Sequence, residues 1–201
     1  MGRPRSVSDE QIVEGAVRAI GKHGPSALTL AHVAAEVGIT PAAIVQRFGS
    51  KRNLLLAIGD ASTTAVDAQV DAALARRTPL RALYQVLTAQ AREMGSVEEM
   101  ANHLAFLHLD LADPDLRRRA RGHGRALLAG IRRLLDEAVG AGELVVADVD
   151  DRALSVYTTF NGALISWALV GRGSSAGWLK ARLDSELAPY RVAAATAPPP
   201  S

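Results

Sequence analysis

The 201-residue chain contains no cysteine. Disulfides, thiolate nucleophiles and cysteine-based zinc sites are therefore excluded. Aromatic residues make up only 4% of it, and runs of β-branched residues are short, so helix is favoured throughout. The chain opens Met1-Gly2-Arg3-Pro4-Arg5-Ser6 with no apolar stretch behind it, which does not read as a secretory signal. Nor is there an uninterrupted apolar run. The most apolar segment, 153–170, is broken by Ser155, Thr158, Thr159, Asn161 and Ser166, whereas a membrane span needs ~20 predominantly apolar residues. A buried helix is expected there, and a cytoplasmic protein. No internal repeat of the kind that builds solenoids is present.

What is present is an ordinary globular balance, with 48% hydrophobic and 22% charged residues, long enough for one domain or two small ones. The net charge of +2 is too small to identify a nucleic-acid partner. Its distribution is more informative. Arg3, Arg5, Arg47, Lys51 and Arg52 cluster in an N-terminal arm and around Phe48, where a footprint on phosphate would need them.

Periodicity begins at once. Ile12, Val13, Ala16, Val17 and Ile20 form one helical face, with Ser8 and Gln11 as a capping box. His23-Gly24-Pro25 should end that helix. A short second helix follows Thr29, with Leu30, Val33, Ala34 and Val37 on one face. Gly38 breaks it. Thr40 can cap a third helix with Pro41 at its first position, running to about Phe48, and Gly49-Ser50 then leads into a long fourth helix from Lys51. In such a pair of short helices, Ala34 permits the close crossing, Gly38 the turn, and Ile44 the inward anchor. The outer face of residues 40–47 is left free to enter a major groove.

The runs Thr29-Leu30-Ala31-His32-Val33-Ala34-Ala35-Glu36-Val37-Gly38-Ile39-Thr40 and Phe48-Gly49-Ser50-Lys51-Arg52-Asn53-Leu54-Leu55 resemble the N-terminal pattern of the TetR family of bacterial regulators. The resemblance covers about residues 8–60. It implies an all-α protein, with a three-helix helix-turn-helix domain joined by the fourth helix to a helical regulatory and dimerisation domain. It implies that Thr29 and Lys51 hold phosphates on either side of a groove. Thr40, Pro41, Ala42, Val45 and Gln46 should then face bases or the sugar-phosphate edge, with Arg47 on phosphate. Gln46 alone could bond adenine bidentately. Val45 departs from the tyrosine common in the family, so its contact would be apolar. Arg3 and Arg5 are suited to a narrow minor groove.

Behind the N-terminal unit, helices are expected at about 79–94, 97–111, 114–140, 149–171 and 175–190. His103, Phe106 and His108 on one of these, with Tyr157, Asn161 and Trp167 on another, could line a ligand pocket, mostly apolar with a few polar groups. His103 and His108 are five apart, so they do not share a face like an i, i+4 metal pair. No metal site or cofactor is expected. The run Arg117-Arg118-Arg119-Ala120-Arg121 reads as a solvated face. The last two long helices are apolar on more than one side, and the resemblance implies that they pair across a two-fold axis.

The expected division is a flexible basic arm at 1–7, a DNA-binding domain at 8–55, an effector-binding and dimerisation domain at 56–192, and a disordered tail at 193–201. The expected partners are a double-stranded operator, a second copy of the chain and a small-molecule effector. A DNA-binding regulator without such a ligand is the alternative. An all-helical enzyme finds no nucleophile–base–orienter set, phosphate loop or metal cluster to support it.

Overall fold

A computed structural model describes residues 7–192, so Arg3, Arg5, most of the expected arm and the whole expected tail lie outside the described residues. Within them the fold is all-α. The nine helices found there are α1 (Asp9–Ala27), α2 (Leu30–Val37), α3 (Pro41–Phe48), α4 (Lys51–Leu74), α5 (Pro79–Arg92), α6 (Val97–Ala112), α7 (Pro114–Gly140), α8 (Val149–Val170) and α9 (Ser175–Leu187).

Local chemistry sets most of these boundaries. Ser8 caps α1 in a reciprocal box with Gln11, Thr40 and Ser50 accept from the backbone of α3 and α4, and Asp113 accepts from two amides at the start of α7. Each such cap satisfies amides that a helix start otherwise leaves unpaired. The regular course of α1 breaks at Gly24 as expected, and Pro25 starts a further helical turn to Ala27, closed by the Leu28 amide on the Gly24 carbonyl at 3.1 Å. One end differs from expectation: α9 stops at Leu187, because Pro189 turns the chain into a single 3₁₀ turn over Ala188–Tyr190. The residues after it clasp the α7–α8 connection, Val145 donating to the Tyr190 carbonyl at 2.7 Å and Val192 to that of Glu143 at 3.1 Å.

Burial falls into two apolar clusters. The first joins Ile12, Ala16, Val33, Ala34, Ile44, Leu54 and Ile58. The second joins residues of α4, α5, α7, α8 and α9, among them Val66, Leu83, Ile131, Leu135, Phe160 and Leu183. They share elements. Leu116 of α7 is buried in the first cluster, and Phe106 and Leu109 of α6 pack against it, while Met100 of α6 belongs to the second. The most extensive helix pairing is α4 along α7, where Gly130 faces Val66 and Val70 so closely that a Cβ would sit 3.1 Å from a valine methyl.

Helix α8 has the length and composition of a membrane span, yet it is wedged between α7 and α9. Within the single chain one side of it is open. Only a third of its apolar window is buried, and Leu154, Ile165 and Leu169 stand exposed on its outer side. Helix α6 is odder still, since Met100 is its one buried residue while Val97, Leu104, Leu107 and Leu111 are exposed.

The break in α1 is a backbone constraint. Gly24 lies at φ 72°, ψ 159°, a region open essentially to glycine, where other residues cost on the order of 1–3 kcal/mol. A Cβ there would also come within 2.7 Å of Asn102 Oδ1 on α6. Gly24→Ala is therefore expected to lower the melting temperature by on the order of 5 °C, whereas Gly140→Ala, which meets nothing within 4 Å, should leave it within about a degree. Differential scanning fluorimetry checks both.

Candidate nucleic-acid interface

Helices α2 and α3 are held as a tight pair by the features that suggested them. Ala34 is buried at their crossing. Gly38 takes the left-handed conformation at φ 72°, ψ 35°, and the amides of Gly38 and Ile39 both return to the Ala34 carbonyl. Ile44, fully buried, anchors α3 inward. With that face committed, Thr40, Pro41, Ala42, Val45, Gln46 and Arg47 are all exposed. The exposed side of α3 thus carries a hydroxyl, small apolar groups, one amide and one cation, and no carboxylate. A surface of that kind suits phosphate and base edges.

Thr29 caps α2, accepting from the His32 amide at 3.2 Å, and His32 Nδ1 in turn accepts from the Thr29 amide at 3.4 Å. Lys51 stands at the first position of α4, where the helix dipole disfavours a cation. Its ammonium is turned away from the axis and donates to the Pro25 carbonyl at 2.9 Å, tying the start of α4 to the end of α1. Arg47 donates to the Val7 carbonyl and lies 3.4 Å from Asp9. That contact fixes the first described residue, Val7, beside the end of α3. Sequence reading could not find these two tethers, because each joins residues at least 26 positions apart.

The link to the rear of the molecule is also ionic. Arg52 Nη2 bonds Asp113 and Asp115, each at 2.9 Å, and the hydrogen bonds to Asp115 and Asp113 raise the Arg52 pKa above its ordinary value. Backbone donation from Leu116 is the main reason that Asp113 lies below the usual carboxylate range. Asn102 of α6 donates to the Gly21 carbonyl of α1 at 2.7 Å.

The six rear residues expected to line a pocket sit in different settings. Phe106 packs against the N-terminal core. Trp167 is buried in the rear core with its indole N–H on the Gly173 carbonyl at 3.0 Å. His108 is exposed, and exposed Asn161 donates to the Tyr157 carbonyl at 2.8 Å. His103 and Tyr157 are the pair facing a common region. Desolvation and then His123 lower the His103 pKa, while Tyr157 Oη approaches the bare backbone of Gly124 one residue further along α7. Two surface hollows are lined by other residues. One of about 390 Å³ lies between α8 and α9, bounded by Thr159, Gly162, Ala163, Ser166, Arg182, Ser185 and Glu186. A smaller one is bounded by α1 and α2.

A capped helix pair with an inward anchor, a free outer face and a following helix that starts on a cation is a helix-turn-helix. Residues 12–58 match the family model described as "Bacterial regulatory proteins, tetR family". The match runs from α1 to the first turns of α4 and leaves the rear helices outside it. No curated protein sequence matches it. Among solved structures it is similar to a TetR transcription regulator from Haloarcula marismortui, with 17% identity and a TM-score of 0.71 over 92% of this chain and 98% of that one. It is likewise similar to the regulator PfmR from Thermus thermophilus, with 22% identity and a TM-score of 0.60 over 88% and 97%. A third likeness is to FadR from Bacillus subtilis in complex with stearoyl-CoA, with 16% identity and a TM-score of 0.63 over 90% and 98%. These likenesses show the fold over the matched residues, about nine-tenths of the chain.

One group near the junction gives a pH prediction. Burial pushes the Asp110 carboxyl up to about 6. A folded value above the unfolded one means that this carboxyl's contribution to stability is fully present below pH 4 and is lost as pH rises through about 6. Asp110→Asn removes that loss. The variant should melt close to the native protein at pH 4 and above it at pH 7.5, a comparison that thermal melts at the two pH values decide.

Proposed function

We propose that the protein is a homodimeric repressor that binds a pseudo-palindromic operator through α3 and is released by a small-molecule effector. The observation that carries the DNA-binding part is the exposed face of α3. Six residues without a carboxylate are presented on a helix anchored by Ile44, flanked by Thr29 at one helix start and Lys51 at another. Thr29, Lys51 and Arg47 serve phosphate. Thr40, Pro41, Ala42, Val45 and Gln46 meet the groove, and Arg3 and Arg5 the neighbouring minor groove. Lys51 keeps two further N–H bonds for phosphate while one holds Pro25.

Dimerisation is supported by the outer face of α8 and α9. Leu154, Thr158, Asn161, Ile165 and Leu169 recur at helical spacing and are exposed along α8. Beside them Gly177, Ala181 and Ser185 make an exposed row of small residues on α9. Small side chains let helix axes approach, and large ones fill the gaps between them. A second copy related by a two-fold axis would cover that face and the hollow at Gly162, and would place two α3 helices on one side of the dimer.

An effector is supported by the shared composition of the two clusters. Elements α4, α6 and α7 belong to both, so a ligand preferring one arrangement of the rear helices biases the position of α3. The solved FadR structure holds stearoyl-CoA. In this chain the flank of α6, α7 and α8 that carries His103 and Tyr157 is the proposed effector region.

Genomic fragments captured by the purified protein test the reading. Lys51→Ala should weaken binding to every captured fragment, by roughly tenfold for one charge-assisted contact. Gln46→Ala should instead relax preference at one base position, at about 1–3 kcal/mol. Ile165→Glu should convert the dimer to monomer in sedimentation and abolish high-affinity binding. Capture of no fragment, or indifference to all three substitutions, overturns the proposal. Capture unaffected by any member of a metabolite library would leave a regulator without a small-molecule effector.

A further inference from the structure

A capping box normally pairs its Ser or Thr with Glu or Gln three residues on. Here the third position of α2 is His32. The substitution has an electrostatic consequence. Glutamate there would set a carboxylate one turn from Thr29, facing any phosphate that Thr29 holds. Histidine supplies the same acceptor without the negative charge.

The geometry also fixes the ring. Nδ1 accepts from the Thr29 amide, so in the neutral ring the proton is on Nε2, which points away from the cap as a free donor. His23, at the end of α1, stacks on this ring with centroids 4.1 Å apart and planes 20° from parallel. The stack holds the imidazole in place at the start of α2. Other charges nearby are already engaged. Lys51 of α4 is on the Pro25 carbonyl, and Lys22 of α1 is on Glu36 of α2 at 2.6 Å, with Arg18 3.6 Å from the same carboxylate. No carboxylate is paired with either histidine among the described residues.

We propose that His32, braced by His23, is a further DNA-backbone contact, its Nε2–H donating to a phosphate oxygen beside Thr29. The inference rests on the reading that Thr29 and Lys51 flank bound DNA.

The test uses the full-length protein and one captured duplex, with affinity and melting temperature measured for the native protein and two variants. His32→Gln keeps both a capping-box acceptor and an N–H donor, so it should bind within about twofold of the native protein. His32→Glu keeps the acceptor and the cap but replaces the donor with a carboxylate, so it should weaken binding at least roughly tenfold with an unchanged melting temperature. Unimpaired binding by His32→Glu overturns the proposal, as does a loss with His32→Gln as large as that with His32→Glu. If no duplex is captured by the native protein, or Lys51→Ala binds normally, the underlying DNA-binding reading fails instead.

Discussion

The end of α1 is the point on which the arrangement of the other helices depends. Gly24 adopts a conformation that other residues resist, and that break turns the Pro25 carbonyl out of the α1 ladder. Lys51 takes that carbonyl and so sets where α4 begins. One turn earlier the Gly21 carbonyl receives Asn102 from α6. The Gly21 carbonyl is open to that side chain because Pro25, four residues on, has no amide hydrogen to donate to it. The start of α2, its cap at Thr29 and the stacked histidines follow from the same turn.

The two tethers differ in kind from the ion pairs around them. Lys51 and Asn102 donate to backbone carbonyls, groups whose positions are fixed by the helix they belong to. The Arg52 cluster joins three partly exposed side chains, and solvent screens such pairs strongly. Arg52 therefore orients the start of α7 against α4 more than it secures it. The strength of that junction comes from Leu116, buried in the N-terminal cluster, and from Phe106 and Leu109 packed beside it.

Much of the N-terminal unit was legible in the sequence because its determinants are local. Ser8, Thr40, Ser50 and Asp113 act on amides within three residues, and the Ala34–Gly38–Ile44 spacing encodes a helix crossing directly. The rear of the molecule was legible as helices but not as a site. Whether Trp167 faces a pocket or a core depends on the distant Gly173 turn and on which neighbours surround it, and periodicity along α8 carries neither fact. The same holds for α8 itself. A helix with apolar residues on several sides looks equally apolar in sequence whether its third face meets the core or is left open, as Leu154, Ile165 and Leu169 are here.

Helix α6 combines an extensive contact with little burial. It lies along α1, yet Met100 is its one buried side chain, so burial contributes little to holding it by comparison with α7, which buries seven. Local opening free energies track buried apolar contact, which makes α6 the softest long element beside the α1 end. Its grip there is polar and directional, through Asn102, with Gly24 leaving no room for α6 to move closer. An outward shift of α6 would draw Met100 from one cluster and Phe106 and Leu109 from the other, so the few side chains it does pack couple it to both. Any change in its position is then felt first at the Gly21 and Gly24 backbone, the same segment that locates Lys51 and the start of α2.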